Sequence, residues 1–472
     1  MFHGTYLPHQ RVGIDFMLHR ERCGRPSGGL LADEPGLGKT IMTIGLMLEN
    51  PCFPCLIVCP KAVEAQWASE IKRFSNSGIA VAALGASGGA GEEALPWQVG
   101  IVSYTRLSHF QRNRAIAAMP ALGRVVFDEG HQLRNPSSKC HKAALLIKAK
   151  HVWVLSGTPL VNKIGDVWAL LQLLRCAKPS EATPQIACVV RRMLKPIMLR
   201  RTMCDIAAKT LPGLSYATLC VPFDSQDEAE LYARVEAYCR LRARAGMRSG
   251  NDVMVMEALT RCRQMAIHPK LVINGLSRKA VPDALAGELP KAWPFLSTKL
   301  RVVTDLVAQH QAQEKVLVLC CFIEEMELIA LVLKHMHGLD ALTYSGQLTS
   351  QERASVVASF CDDKGKARVL LLQVQAGGTG LNLQAASRVI ISSMPWTPSL
   401  ESQGIHRAFR LGQVRKVHVH KVVVADTIDE RMLKTHARKD KEAQLLMPYA
   451  PSASSSSLPS LPEDEEEEED GT

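Results

Sequence analysis

The residues best equipped for chemistry lie near the start of the chain. In LLADEPGLGKTIMTI, Gly36, Leu37, Gly38, Lys39 and Thr40 stand immediately before a helical pattern. Glycines let backbone N–H groups converge on an anion, a lysine brings a point charge to the β- and γ-oxygens of a nucleotide, and a threonine hydroxyl can ligate Mg²⁺. Asp33 occupies the first glycine position of the usual Gly-x-x-x-x-Gly-Lys-[Ser/Thr] spacing, so the loop alone leaves an ordinary glycine-rich turn open as an alternative. About 90 residues later, VVFDEGH ends an apolar run with Asp128 and Glu129. Such a pair suits a metal-holding carboxylate followed by one that orients and deprotonates water. Phosphoryl transfer also needs positive charge where negative charge develops. The segment QGIHRAFRLGQ offers Arg407 and Arg410, three apart and so on one face if the segment is helical, with a merely solvated basic face as the alternative.

Elements must bring these groups together. The first 200 or so residues alternate short apolar runs with amphipathic or glycine-punctuated stretches, the pattern of a parallel sheet covered on both faces. Strands are expected at Leu56–Cys59, Val99–Val102, Val125–Phe127 and Val152–Leu155, with ligands at their carboxyl ends. Residues 205–295 turn helical and basic, as in DEAELYARVEAYCRLRARAGMRSG, and read as an insertion with a linker. A second alternating block spans 296–446, with strands expected at Val316–Leu319, Val369–Leu372, Val389–Ile391 and Val417–Val419. Residues 447–472 are Ser/Pro-rich and then acidic, too polar to offset the entropy of ordering, and are expected to be disordered.

Charge points to a partner class. The net charge of +10 conceals eight consecutive acids, Glu463 to Asp470, so the rest of the chain carries about +18. That excess favours polyanions, nucleic acid foremost. No run of 18 uncharged apolar residues occurs, and MFHGTYLPHQRVG lacks the order of a secretory signal, so an intracellular protein is expected. Fourteen cysteines without framework spacing fit a reducing compartment. Cys52 and Cys55 form a CxxC without a second ligand pair at finger spacing, and two thiols near a strand is the preferred reading over a zinc site.

Taken in chain order, these segments resemble the Swi/Snf family of helicase-superfamily-two ATPases from Leu7 to about Met432. LPHQRVGIDFM carries Gln10 at the place of an adenine-reading glutamine, and ADEPGLGKT resembles the family's phosphate loop, Asp33 included. LIVCPKAVEAQW matches through Pro60, Lys61 and Trp67, VVFDEGHQLRN resembles the acidic box, and LSGTPLVN the coupling motif through Ser156, Gly157, Thr158, Pro159 and Asn162. Further on, YSGQLTSQER brings Gly346 and Arg353, AGGTGLNL brings Gly377, Gly378, Thr379, Gly380 and Asn382, and QGIHRAFRLGQ brings Gln403, Arg407, Arg410, Gly412 and Gln413.

The resemblance implies an α/β fold of two tandem RecA-like lobes and ATP hydrolysis with Mg²⁺, coupled to translocation on double-stranded DNA. Nucleotide contacts are implied for Gln10, Asp33, Gly36, Leu37, Gly38, Lys39, Thr40, Gly380 and Gln403, with Thr40 and Asp128 on the metal. Pro60, Lys61, Ser156, Gly157, Thr158, Gly346, Gly378, Thr379 and Asn382 are implied to touch DNA or couple it to the nucleotide. Backbone contacts of that kind predict little sequence specificity and steep salt dependence. Partners implied are duplex DNA and nucleosomes or histones, with no membrane, in a nuclear monomeric motor or a subunit of a larger complex.

RCRQMAIHPKLV is similar to the repair and transcription remodellers, whose inserted RING finger is missing here. His406 stands where the family has aspartate, Phe409 where it has histidine, and Gly130 where it has alanine. Trp67 and Trp396 read as packing residues. His131 either couples the acidic box to the cleft or caps a strand end. The acidic tail either binds basic proteins or shields the chain itself. A strand-separating helicase and an idle DNA- or histone-binding scaffold remain as alternative functions.

Overall fold

The computed structural model describes residues 2–75, 78–84, 97–112, 121–160, 164–178, 187–207, 212–277, 296–312, 314–362, 365–376, 381–410 and 412–446. Two wholly parallel sheets organise it. The first comprises β1 (Gly28–Leu31), β2 (Cys55–Cys59), β3 (Val81–Ala83), β4 (Val99–Ser103), β5 (Leu122–Asp128), β6 (Ala149–Leu155) and β7 (Met198–Leu199), in the order β3-β4-β2-β5-β6-β1-β7. The second comprises β8 (Leu214–Val221), β9 (Lys315–Cys320), β10 (Ala341–Tyr344), β11 (Val369–Gln373), β12 (Ala386–Ile391) and β13 (Val417–Val424), in the order β10-β11-β9-β12-β13-β8.

Each sheet is buried on both faces, which is why its central strands read as unbroken apolar runs. Successive residues of β2 divide between two cores: Leu56 and Val58 pack on one side, Cys55, Ile57 and Cys59 on the other. In β9, Leu317 and Leu319 likewise face one core while Val316, Val318 and Cys320 face the other. Register sets the site. Leu31 of β1 pairs with Leu155 of β6, and Leu155 with Asp128 of β5, so three strands end level and release their loops at one edge.

Residues 205–295 are not purely helical. β8 lies within that range and pairs with β13 from Leu214↔Val417 to Val221↔Val424, so this segment supplies the edge strand of the second sheet. Its strand is half exposed and interrupted by Ser215, Thr218 and Cys220, which hides it among the helices that follow. The insertion proper is a helical hairpin. Helix Gln226–Arg248 starts at Ser225, whose hydroxyl accepts from the Glu228 N–H, with Asp227 and Glu228 in the first turn. Gly250, at φ +65°, turns the chain into helix Asp252–Ile267, capped by Asn251.

Buried ion pairs fasten elements that hydrophobic contact alone would leave free to slide. Arg124 on β5 donates twice to Glu21 of helix Pro8–Cys23, each at 2.6 Å, and the Trp153 indole of β6 donates to the same carboxylate at 2.9 Å. In the second lobe Lys299 donates to Asp429 at 2.5 Å, tying helix Thr298–His310 to helix Ile428–Leu446. The Glu325 carboxylate accepts from the Cys321 and Phe322 N–H groups and from the hydroxyls of Ser392 and Ser393, pinning the ends of β9 and β12 together.

Candidate active site

The loop after β1 is shaped by two left-handed glycines, Gly36 at φ +94° and Gly38 at φ +85°, and delivers Lys39 and Thr40 to the first turn of helix Lys39–Glu49. Its free N–H groups and dipole make that turn an anion site. Lys39 Nζ donates to the carbonyls of Asp33 at 2.6 Å and Glu34 at 3.3 Å, so the ammonium is held in the mouth of the loop. A Cβ on Gly38 would lie 2.5 Å from Gln10 Nε2, which places the Gln10 amide directly behind the loop while its Oε1 accepts from the Leu7 N–H.

Two residues expected to contact nucleotide have other employment for their side chains. The Asp33 carboxylate is fully buried and gripped at both oxygens by Arg201, which also donates to the His9 carbonyl at 2.6 Å. Leu37 is fully buried in an apolar cluster that also holds Met203 of the first lobe and Ile405, Ala408 and Phe409 of the second. Both side chains are thus held by parts of the chain more than 160 residues away in sequence, leaving the loop's backbone N–H groups to face a phosphate.

Asp128 closes β5, and its Oδ2 accepts from Trp67 Nε1–H at 2.8 Å. Oδ1 accepts from the Glu129 N–H at 3.0 Å, and the Asp128 carbonyl from the Tyr104 hydroxyl at 2.6 Å. Glu129 sits at φ +51°, ψ +46°, a strained conformation for a residue with a side chain. Burial, together with the adjacent Glu129 charge, pushes Asp128 up to about 6. Burial would raise Glu129 too, but the hydrogen bond and charge of His131 hold it below the usual carboxylate range. His131 Nδ1 lies 3.2 Å from Glu129 Oε2 and 3.3 Å from Ser156 Oγ, so it joins the acidic box to the coupling motif. A Cβ on Gly130 would lie 2.4 Å from Val154 Cγ1, which accounts for glycine where alanine is usual.

The second lobe faces this array. One cleft is lined from the first lobe by Pro35, Gly36, Gly38, Lys39, Thr40, Trp67, Asp128 and Glu129, and from the second by Leu381, Gln403, His406, Arg407 and Arg410. Burial lowers Arg407 to about 10 and also lowers Arg410, whose Nη1 donates to the Leu381 carbonyl at 3.4 Å. A Cβ on Gly36 would meet Arg410 Cβ at 3.2 Å, so the arginine segment touches the phosphate loop. His406 Nε2 stands 3.8 Å from Glu34 Oε2, and burial keeps the imidazole below its ordinary value. Ammonium, two guanidiniums and a helix N-terminus suit a triphosphate, and Thr40 with Asp128 suits the accompanying divalent cation.

The coupling motif reaches both lobes. Gly157 packs on Pro35, a Cβ there falling 2.8 Å from its ring, and the Ser399 hydroxyl donates to Thr158 Oγ1 at 2.8 Å across the cleft. Pro60 leads into a 3₁₀ turn with Lys61, whose side chain is 80% exposed and bridges to Glu64 at 2.6 Å. The Gly346 N–H donates to Gln373 Oε1 at 2.9 Å, and Arg353 returns to the Gly346 carbonyl at 2.9 Å. Asn382 Oδ1 accepts from the Gln384 N–H at 3.4 Å, and Gln413 donates to the carbonyls of Gln384, Ala386 and Ala408. Asn162, Gly377, Gly378, Thr379 and Gly380 lie outside the described residues.

Trp396 is half-buried, with Arg263 4.3 Å above its ring. Trp67 is 2% exposed and packs in the first core, and its hydrogen bond to Asp128 spans 61 positions that no local pattern connects. Tyr104 and Arg201 were likewise invisible in the sequence, because their partners are assembled by the sheet.

Comparison with known proteins places the chain. The SNF2-related domain matches residues 9–271, and the helicase conserved C-terminal domain residues 298–412. A probable global transactivator of Orgyia pseudotsugata multicapsid polyhedrosis virus is 31% identical over 464 residues, covering 92% of this chain and 89% of that protein. The putative ATP-dependent helicase/translocase YwqA of Bacillus subtilis (strain 168) is 27% identical over 91% of this chain and 47% of its own length. The ATP-dependent DNA helicase DDM1 of Arabidopsis thaliana is 27% identical over 91% and 60%. The chain thus spans about half the length of the last two. A Sulfolobus solfataricus SWI2/SNF2 ATPase core in complex with dsDNA is similar over 94% of this chain and 93% of that one, at 22% identity and a TM-score of 0.43. With more than half of its length matched by the first of these domains, the chain belongs to the SNF2-related family, the helicase-like DNA-dependent ATPases of superfamily two.

Proposed function

We propose that this chain hydrolyses ATP to ADP and phosphate and converts closing and opening of its lobes into travel along double-stranded DNA. Its role would be to remodel chromatin or displace bound proteins in repair or transcription, in the nucleus. The observation that carries this reading is the cleft in which Lys39, Asp128 and Glu129 of one lobe face Arg407 and Arg410 of the other. Mg²⁺ bound at Thr40 and Asp128 would neutralise phosphate charge. Lys39 exchanges the Asp33 and Glu34 carbonyls for phosphate oxygens, and Glu129 orients water and takes its proton. Arg407 and Arg410 stabilise the charge that develops on the transferred phosphoryl group. Because that charge lies between lobes, its formation favours closure and its loss favours opening.

The supporting features for DNA are the basic body, the exposed Lys61, and relatives named as helicases and translocases. Lys39→Ala should reduce duplex-stimulated ATP turnover to background, and normal turnover in that variant would sink the motor reading. Triplex displacement measured beside strand separation distinguishes a translocase from an unwinding helicase, and a scaffold would show no turnover on any nucleic acid. Restriction-enzyme access to nucleosomal DNA tests chromatin as substrate, and imaging of tagged chain tests nuclear residence.

A further inference from the structure

An aspartate at a strand end can rotate about two side-chain bonds, so a metal-holding carboxylate needs partners that fix it. Here both oxygens of Asp128 accept a hydrogen bond, one from its neighbour's N–H and the other from the Trp67 indole at 2.8 Å. The backbone donor is fixed by the turn. The indole is carried by a different element, helix Glu64–Phe74, which packs through Trp67 and Ile71 into the core beneath the sheet. That helix continues directly from the 3₁₀ turn Lys61–Val63, whose Lys61 side chain projects into solvent. Only that 3₁₀ turn and the first turn of the helix, residues 64–67, separate Pro60 from the indole, so a shift at Pro60–Lys61 reaches Trp67 over a short contiguous path. A buried indole N–H bonded to a carboxylate transmits that shift as a rotation of the carboxylate, because its bond weakens steeply with angle.

We propose that Trp67 is a positioning residue through which duplex DNA held at Pro60 and Lys61 sets the orientation of the Asp128 carboxylate. The proposal rests on the reading of the chain as a DNA-stimulated ATPase and names the path of that stimulation within the first lobe. Phenylalanine at position 67 keeps an aromatic ring in the core and removes the donor.

The test uses the full chain with ¹⁵N-labelled tryptophan; with six tryptophans in all, the Trp67 indole resonance is assigned by elimination with Trp→Phe variants at the other five. Asp128→Asn should move that resonance, and duplex DNA added without nucleotide should move it as well. In Trp67→Phe, the Mg²⁺ concentration giving half-maximal binding of fluorescent ADP should rise about tenfold, the scale of one hydrogen bond to a charged group. ADP affinity in EDTA and duplex affinity by anisotropy should stay at parental values, while stimulation of turnover by DNA falls. An indole resonance unmoved by bound duplex, or an unchanged Mg²⁺ requirement, would overturn the proposal. If Trp67→Phe does not fold, the resonance shifts in the otherwise unchanged chain still decide it. Should duplex fail to bind the parent at all, the functional reading falls, and the Asp128→Asn shift and Mg²⁺ titration still judge the grip of Trp67 on Asp128.

Discussion

Asp128 and Glu129 are neighbours in sequence and opposites in surroundings. One is turned inward to an indole and raised to about 6, the other is set at a strained φ and drawn down by His131. A carboxylate kept ionised beside a site for water is a base. Glu129→Gln should therefore lower turnover by about a hundredfold or more, the usual worth of a general base, while leaving ATP binding intact by fluorescence titration. Asp33 serves a different end. Its buried pairing with Arg201 anchors the phosphate loop to the segment after β7. Arg201→Met leaves that carboxylate without its counter-charge and should cost about 3–5 kcal/mol in urea denaturation. The residue types of the site were legible because phosphate, metal and water each demand particular groups at short spacing. What holds the Asp33 side chain was not legible, because a motif names a position without saying which neighbour, 168 residues away for Arg201, will claim it.

At the scale of elements, the helix Pro8–Cys23 is locked to β5 and β6 through Glu21. Burial alone would raise this carboxyl, but two bonds from Arg124 hold it below its ordinary value. A depressed folded value means that the stabilisation is complete above the unfolded pKa of about 4.3 and is lost as pH falls through the folded one. Glu21→Gln should thus flatten the acid side of the stability profile, seen as a smaller drop in Tm between pH 6 and pH 3, on a lower plateau. Eight strands were legible as apolar runs because parallel strands covered on both faces bury every residue. β8 was not, since an edge strand with an exposed face alternates weakly, and Tyr216 at 63% exposure reads as loop.

For the whole molecule, the basic body and the proposed phosphate-tracking grip make ionic strength the controlling variable. Raising salt from about 50 to 200 mM should weaken duplex binding about a thousandfold, with a similar slope for unrelated sequences, as measured by anisotropy. The two-lobed plan was readable from the repeat of the alternating pattern, whereas the way the lobes meet was not, because cross-cleft contacts such as Ser399 with Thr158 join surfaces that no periodicity marks. Leu37 of the phosphate loop belongs to an apolar cluster drawn mostly from the opposite half. Parting the halves must wet it, at roughly 1.5–3 kcal/mol. In the proposed cycle, departure of diphosphate is therefore throttled by oil as well as by charge: Leu37→Ser should quicken the escape of a fluorescent ADP in stopped flow about tenfold, 1.4 kcal/mol being one decade.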